Sequence, residues 1–142
     1  MAKEIKHVTG SMGIDWIGIG IAALVYMALG FIWYSKALFF PEWSRQMGLS
    51  GPKMEWYAIP GMFFAAVLYA IGLSRGILAM NLKGLTGGGL TGLAMAVCYV
   101  FMANSTKLFF AGKPILFWID FGFQSIAGML MGSIIGARAK LT

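Results

Sequence analysis

Four long apolar runs dominate the sequence and limit its fold more than any other feature. They cover residues 14–35, 56–80, 84–106 and 114–136, and each reaches the length of about 20 helical residues that crosses a bilayer core. Only 11% of the 142 residues are charged and 59% are hydrophobic, whereas soluble domains carry about 25% charged residues. The sequence therefore predicts an all-α, polytopic membrane protein, with residues 1–142 forming one domain of four transmembrane helices.

The longest connection, between the first two runs, has the pattern of a short helix. Pro41 suits the first turn of a helix and Gly48 suits its C-terminal cap. Trp43 and Met47 are four residues apart and so share one face. Aromatic and basic residues flank the segment, as in helices that lie among lipid headgroups. We expect a short interfacial helix after the first span.

Small residues recur at four-residue intervals in the third and fourth runs, which places them on one face of each helix. Such faces let the backbones of membrane helices approach closely. The repeat predicts a glycine-packed bundle, and the same spacing allows contact either within one chain or between two copies. The expected packing residues are Gly84, Gly88, Gly92, Gly128, Gly132 and Gly136.

One carboxylate, Asp120, lies inside the fourth run. A charge at the centre of a membrane helix costs about 2.5–3.5 kcal/mol, so it usually pairs or faces water. Lys107 mirrors it across the turn between the last two runs, and Asn104 and Gln124 lie nearby. We expect a polar membrane cluster of these four residues, either a clamp for helix register or a proton- or cation-binding site. The clamp is favoured because Asp120 lies short of the midplane, where transport sites usually lie.

Asp15 and Pro60 each predict a local feature of one helix. Asp15 stands at the start of the first run, where a carboxylate caps a helix N-terminus and suits its dipole. Pro60 lies inside the second run, where its missing N–H predicts a kink or a break.

The sequence lacks the residue patterns that several classes of function require. The net charge is +6, but the basic residues flank apolar runs as membrane anchors do, which argues against nucleic acid. His7 is the only histidine and Cys98 the only cysteine, so no metal-ligand spacing is present. The glycine-rich stretch 84–92 has a helix-packing spacing rather than that of a phosphate loop. We expect no cofactor, no metal and no enzymatic activity.

Two stretches, "DWIGIGIAALVYMALGFIWYSKALFFPEW" and "GKPILFWIDFGFQSIAGMLMGSIIG", resemble an uncharacterised, mainly bacterial family of small four-helix membrane proteins, a domain of unknown function. In the first stretch the matching positions are Gly30, Trp33, Tyr34, Ser35, Leu38, Phe39 and Trp43. In the second stretch they are Leu116, Asp120, Gly122, Phe123, Met131 and Gly132. The sequence departs from the pattern at Asp15, where asparagine is commoner, and at Phe40 and Pro41. The resemblance implies the fold and supplies no activity.

These observations predict a structural or accessory membrane protein that acts by helix packing. Its expected partners are the lipid bilayer and a second copy or another membrane protein, and the sequence identifies no small-molecule ligand. The alternative is a small-solute or ion transporter of the size of small multidrug exporters. We expect a multi-pass protein of the bacterial inner membrane with both termini in the cytoplasm. The alternative is dual topology, because six basic residues on one side against five on the other is a weak bias.

Overall fold

The computed structural model describes residues 14–49 and 55–139, and regular structure in these ranges is entirely helical. Four helices are long and apolar enough to cross a membrane, which confirms the predicted fold class. His7 and four of the basic residues counted for the orientation, Lys3, Lys6, Lys53 and Lys140, lie outside the described residues. In chain order the helices are α1 (Trp16–Trp33), α2 (Phe40–Met47), α3 (Ala58–Ala79), α4 (Leu85–Phe109) and α5 (Pro114–Arg138).

The first two helices begin and end where local chemistry predicts. The Asp15 carboxylate accepts a hydrogen bond from the Gly18 N–H (3.1 Å) and so caps α1. α2 has Pro41 in its first turn and ends at Gly48, whose positive φ of 71° forms a left-handed C-terminal cap. No residue of α2 is buried in the bundle, as expected for an interfacial helix.

Pro60 does not interrupt a helix. α3 begins at Ala58, two residues later than the predicted start of the second span, so Pro60 falls in the first helical turn. An N–H there has no intrahelical acceptor, and a proline in that turn therefore removes no helical hydrogen bond. The predicted kink or break is wrong because the helix starts later than hydropathy alone indicates.

The glycine repeats of α4 and α5 meet each other within one chain. A Cβ on Gly92 would collide with the carbonyl of Gly128, and a Cβ on Gly88 would collide with the carbonyl of Gly132. A Cβ added to Gly136 would lie 2.7 Å from the Cα of Gly88. The two backbones are therefore in contact along the stripe, and the α4–α5 interface is the most extensive in the protein.

Gly84 lies at the end of the glycine stripe, at the N-cap of α4. It precedes α4 with φ at 93°, a conformation that side chains disfavour. Its N–H donates to the carbonyl of Gly136 (2.7 Å), which joins the start of α4 to the end of α5. Gly84 therefore takes part in the close contact of α4 with α5 from the residue that precedes the helix.

α1 and α3 also pack against α5. Their contact with it forms a buried apolar core, while α3 and α4 contact each other only sparsely. The buried core residues are Ile19, Ala22, Ala70, Leu73, Ile77, Met131 and Ile135. Large apolar side chains cover the outer surface, as expected for a surface that faces lipid chains.

Candidate functional site

The carboxylate of Asp120 is held by two partners. Lys107 lies in the last turn of α4, and its Nζ donates to Asp120 Oδ2 at 2.5 Å. Tyr34 caps the end of α1, and its hydroxyl donates to Asp120 Oδ1 at 2.8 Å. The ion pair expected from the mirrored positions of Lys107 and Asp120 is present. Tyr34 connects a third helix, α1, to this pair, and the sequence spacing did not indicate that contact. We call Tyr34, Lys107 and Asp120 the Asp120 network.

The other two members of the predicted cluster lie outside this network. The amide of Asn104 donates to the Val100 carbonyl of its own helix (3.2 Å). The amide of Gln124 donates to the Tyr26 hydroxyl on α1 (2.8 Å). Gln124 lies one helical turn beyond Asp120, where a tyrosine of α1 meets it. The structure therefore divides the predicted four-residue cluster into an ion pair and two separate amides.

The two motif stretches pack against each other. The indole Nε1 of Trp33 donates to the Ile119 carbonyl (3.2 Å). Gly122 leaves room for that indole, since a Cβ there would lie 3.2 Å from the Trp33 ring. Gly30 faces the ring of Phe123, where a Cβ would make ordinary van der Waals contact at 3.6 Å. Gly122 thus allows the Trp33 ring to lie close to the α5 backbone beside Asp120.

The remaining motif residues connect α1 to α2. The Ser35 carbonyl accepts hydrogen bonds from the N–H groups of Leu38 and Phe40. The Trp33 ring packs on the Phe39 ring with centroids 4.7 Å apart, and Trp43 packs edge-on against Tyr34 at 5.6 Å. The first motif therefore positions the interfacial helix and the hydroxyl that reaches Asp120.

A second ion pair lies at the opposite end of the bundle. Arg138, the last residue of α5, donates from Nε to Asp15 Oδ2 at 2.5 Å and from Nη2 to Asp15 Oδ1 at 3.2 Å. Sequence reasoning identified Asp15 as a cap and missed its cation, because the two residues lie 123 positions apart. α5 is therefore tied to α1 at this end and to α1 and α4 at the other.

This end pair predicts a pH effect. Hydrogen bonding to Arg138 lowers the pKa of the Asp15 carboxyl below its ordinary value of 3.8. A lowered folded-state pKa contributes stability that is complete above the ordinary pKa and is lost as pH falls through the folded one. The thermal midpoint in detergent should fall more steeply below about pH 4 for the native chain than for Asp15→Asn. Parallel pH curves for the two proteins would contradict this assignment.

A cavity of about 390 Å³ lies among α1, α3, α4 and α5. We call it the tyrosine cavity. It is lined by Tyr26, Ala65, Leu68, Tyr69, Tyr99, Val100, Asn104 and Gln124.

The tyrosine cavity lies close to the middle of the spans. Tyr26 is the eleventh of 18 residues in α1, and Tyr69 is the twelfth of 22 in α3. Tyr99 is the fifteenth of 25 in α4, and Gln124 is the eleventh of 25 in α5. Sequence reasoning missed the three tyrosines because a tyrosine within an apolar run also suits helix packing. The available signal was one tyrosine near the centre of three different runs.

Three of the described carboxylates, Asp15, Glu42 and Asp120, form ion pairs. Asp15 and Asp120 each hold a cation, and on α2 Glu42 holds Arg45 at 2.5 Å, whose hydrogen bond lowers the pKa of the Glu42 carboxyl. Within residues 14–49 and 55–139, no three histidine, cysteine or acidic side chains group as metal ligands would. The lining of the tyrosine cavity contains amides and phenols but no acidic or basic side chain.

Comparisons with known proteins identify a family and no individual relative. A family model described as "Protein of unknown function (DUF1761)" matches residues 17–136. No curated protein matches the sequence. No solved structure matches it either.

Proposed function

Because the chain belongs to this family of unknown function, we propose its role from the geometry of its own residues: a non-enzymatic, structural or accessory protein of the cell membrane that acts through helix packing. Its membrane is proposed to be the bacterial inner membrane, with both termini in the cytoplasm. The partner is a second copy or another membrane protein.

The ion pairs of two carboxylates support this role. The two carboxylates nearest the spans, Asp15 and Asp120, both hold ion pairs that tie separate helices together. A paired carboxylate whose two oxygens are both engaged is a poor proton carrier or cation ligand, whereas it holds helix register well. The Asp120 network joins α1, α4 and α5 at a point where a shift of one turn would separate all three groups.

A second candidate is a small-solute or ion transporter. The tyrosine cavity favours it, because transporters commonly bind substrates near the midplane of the membrane. The lining of the cavity provides no charge for an ion, so this candidate applies to neutral solutes more than to ions.

Proteoliposomes containing a pH-sensitive dye distinguish the two roles. The accessory role predicts no solute-dependent proton movement across a broad panel, both for the native chain and for Asp120→Asn. It also predicts, by light scattering in mild detergent or in native membrane extracts, a particle larger than one 15.4 kDa chain. Proton movement that Asp120→Asn abolishes would establish transport instead. A strict monomer in both preparations would exclude the accessory role.

A further inference from the structure

The tyrosine cavity is reached from the lipid side of the bundle. Tyr99 on α4 is 67% exposed and Leu68 on α3 is 53% exposed, and both belong to the lining. α3 and α4 contact each other sparsely, so these residues border a gap between the two helices. A molecule dissolved in the hydrocarbon core can therefore enter sideways, without crossing either membrane surface.

The lining of the cavity carries unused hydrogen-bonding capacity. Gln124 uses its amide N–H on Tyr26, and Asn104 uses its amide N–H on Val100. The side-chain carbonyl of each has no partner among the described residues. The hydroxyl of Tyr69 is buried and likewise has no partner in the described part of the chain. Unpartnered polar groups at this depth are costly in an apolar surrounding, and a ligand that hydrogen-bonds to them removes that cost.

The same lining disfavours a charged ligand. None of its eight residues is acidic or basic, and the nearby Lys107 and Asp120 already neutralise each other. A charged ligand would bring an uncompensated ion to the middle of the spans, where a single charge costs about 2.5–3.5 kcal/mol. The volume of about 390 Å³ falls near the lower end of the range of small-molecule sites.

We propose that the tyrosine cavity binds one uncharged amphipathic molecule taken from the lipid phase, with a hydroxyl head and an apolar body. The hydroxyl head donates to the side-chain carbonyl of Gln124 or Asn104. The apolar body lies against Leu68, Val100 and the ring of Tyr99. This site is independent of the accessory role, which depends on the ion pairs and on helix association.

Photolabelling in proteoliposomes tests the site. The probe is a long-chain alcohol that carries a diazirine in its chain, and the charged comparison is the alkyl sulfonate of the same chain. Ala65→Phe fills the cavity from an exposed lining position. Ala94→Phe is the matched control, since Ala94 is exposed on α4 and lies outside the lining.

The expected result is saturable labelling of cavity-lining peptides by the alcohol, lost in Ala65→Phe and retained in Ala94→Phe, with no saturable labelling by the sulfonate. In Gln124→Leu, with its folded state checked by its thermal midpoint, we expect labelling to need about two- to tenfold more alcohol, the effect of one net hydrogen bond. Unsaturable labelling over the whole outer surface would overturn the site. Equal saturable labelling by the sulfonate would show that the cavity does not select uncharged ligands. Cross-linking of two chains through the lining residues would show that a second copy of the chain, rather than a small molecule, occupies the gap between α3 and α4.

Discussion

Replacing Gly92 with valine should strongly destabilise the native bundle. A Cβ at this position would collide with the backbone carbonyl of Gly128 and would lie 3.2 Å from the Cα of Gly132. Backbone atoms cannot rotate away as a side chain can, so α4 and α5 must separate along their whole glycine stripe. We expect a loss of about 3 kcal/mol, at the upper end of typical overpacking costs, measured as thermal midpoint and monodisperse yield in mild detergent.

Gly72→Val is the matched control for this prediction. Gly72 lies on α3 and a Cβ there would meet nothing within 4 Å. Both substitutions place the same β-branched residue in a membrane helix, so the difference between them isolates the close approach of α4 to α5. Equal stability of the two variants would show that the two backbones do not meet at Gly92.

Replacing Asp120 with leucine should destabilise the protein by leaving Lys107 without its anion. Removing one partner of a buried ion pair costs about 3–5 kcal/mol. We expect about 3 kcal/mol here, near the lower end of that range, because the Lys107 side chain is still 34% exposed. The measurement is the thermal midpoint in detergent, together with unfolding by a denaturing detergent.

The double variant Asp120→Leu with Lys107→Met separates the charge effect from packing. It removes both charges and keeps apolar volume at both positions, so most of the lost stability should return. Tyr34→Phe should have a smaller effect, since it deletes one hydroxyl and leaves the ion pair intact. A double variant no more stable than Asp120→Leu alone would mean that the pair is not the source of the loss.

The sequence predicts well where the spans and the local caps lie. Each of the four apolar runs became a helix within a few residues of its expected bounds, because crossing lipid depends on the length and composition of one segment alone. The Asp15 cap and the Pro41–Gly48 helix are also local, since every group involved lies within a few positions along the chain. Lys107 and Asp120 could be paired because a short turn places mirrored positions of two antiparallel helices side by side.

Contacts between helices distant in the sequence were not predictable in this way. In a soluble protein, hydropathy indicates which face of a helix is buried, but in a membrane both the lipid and the core are apolar. The rotation of each helix is therefore decided by packing. This rotation brought Tyr34 to Asp120, Tyr26 to Gln124 and Arg138 to Asp15.

The sequence by itself determined an all-helical membrane chain, its spans and a charged pair at one turn. Only the tertiary structure decided that the glycine stripes meet within the chain, that α5 is tied at both ends, and that a neutral cavity lies at the centre of the spans. The physical reason is that membrane insertion depends on segment composition, whereas a cavity depends on how four separate helices turn towards one another.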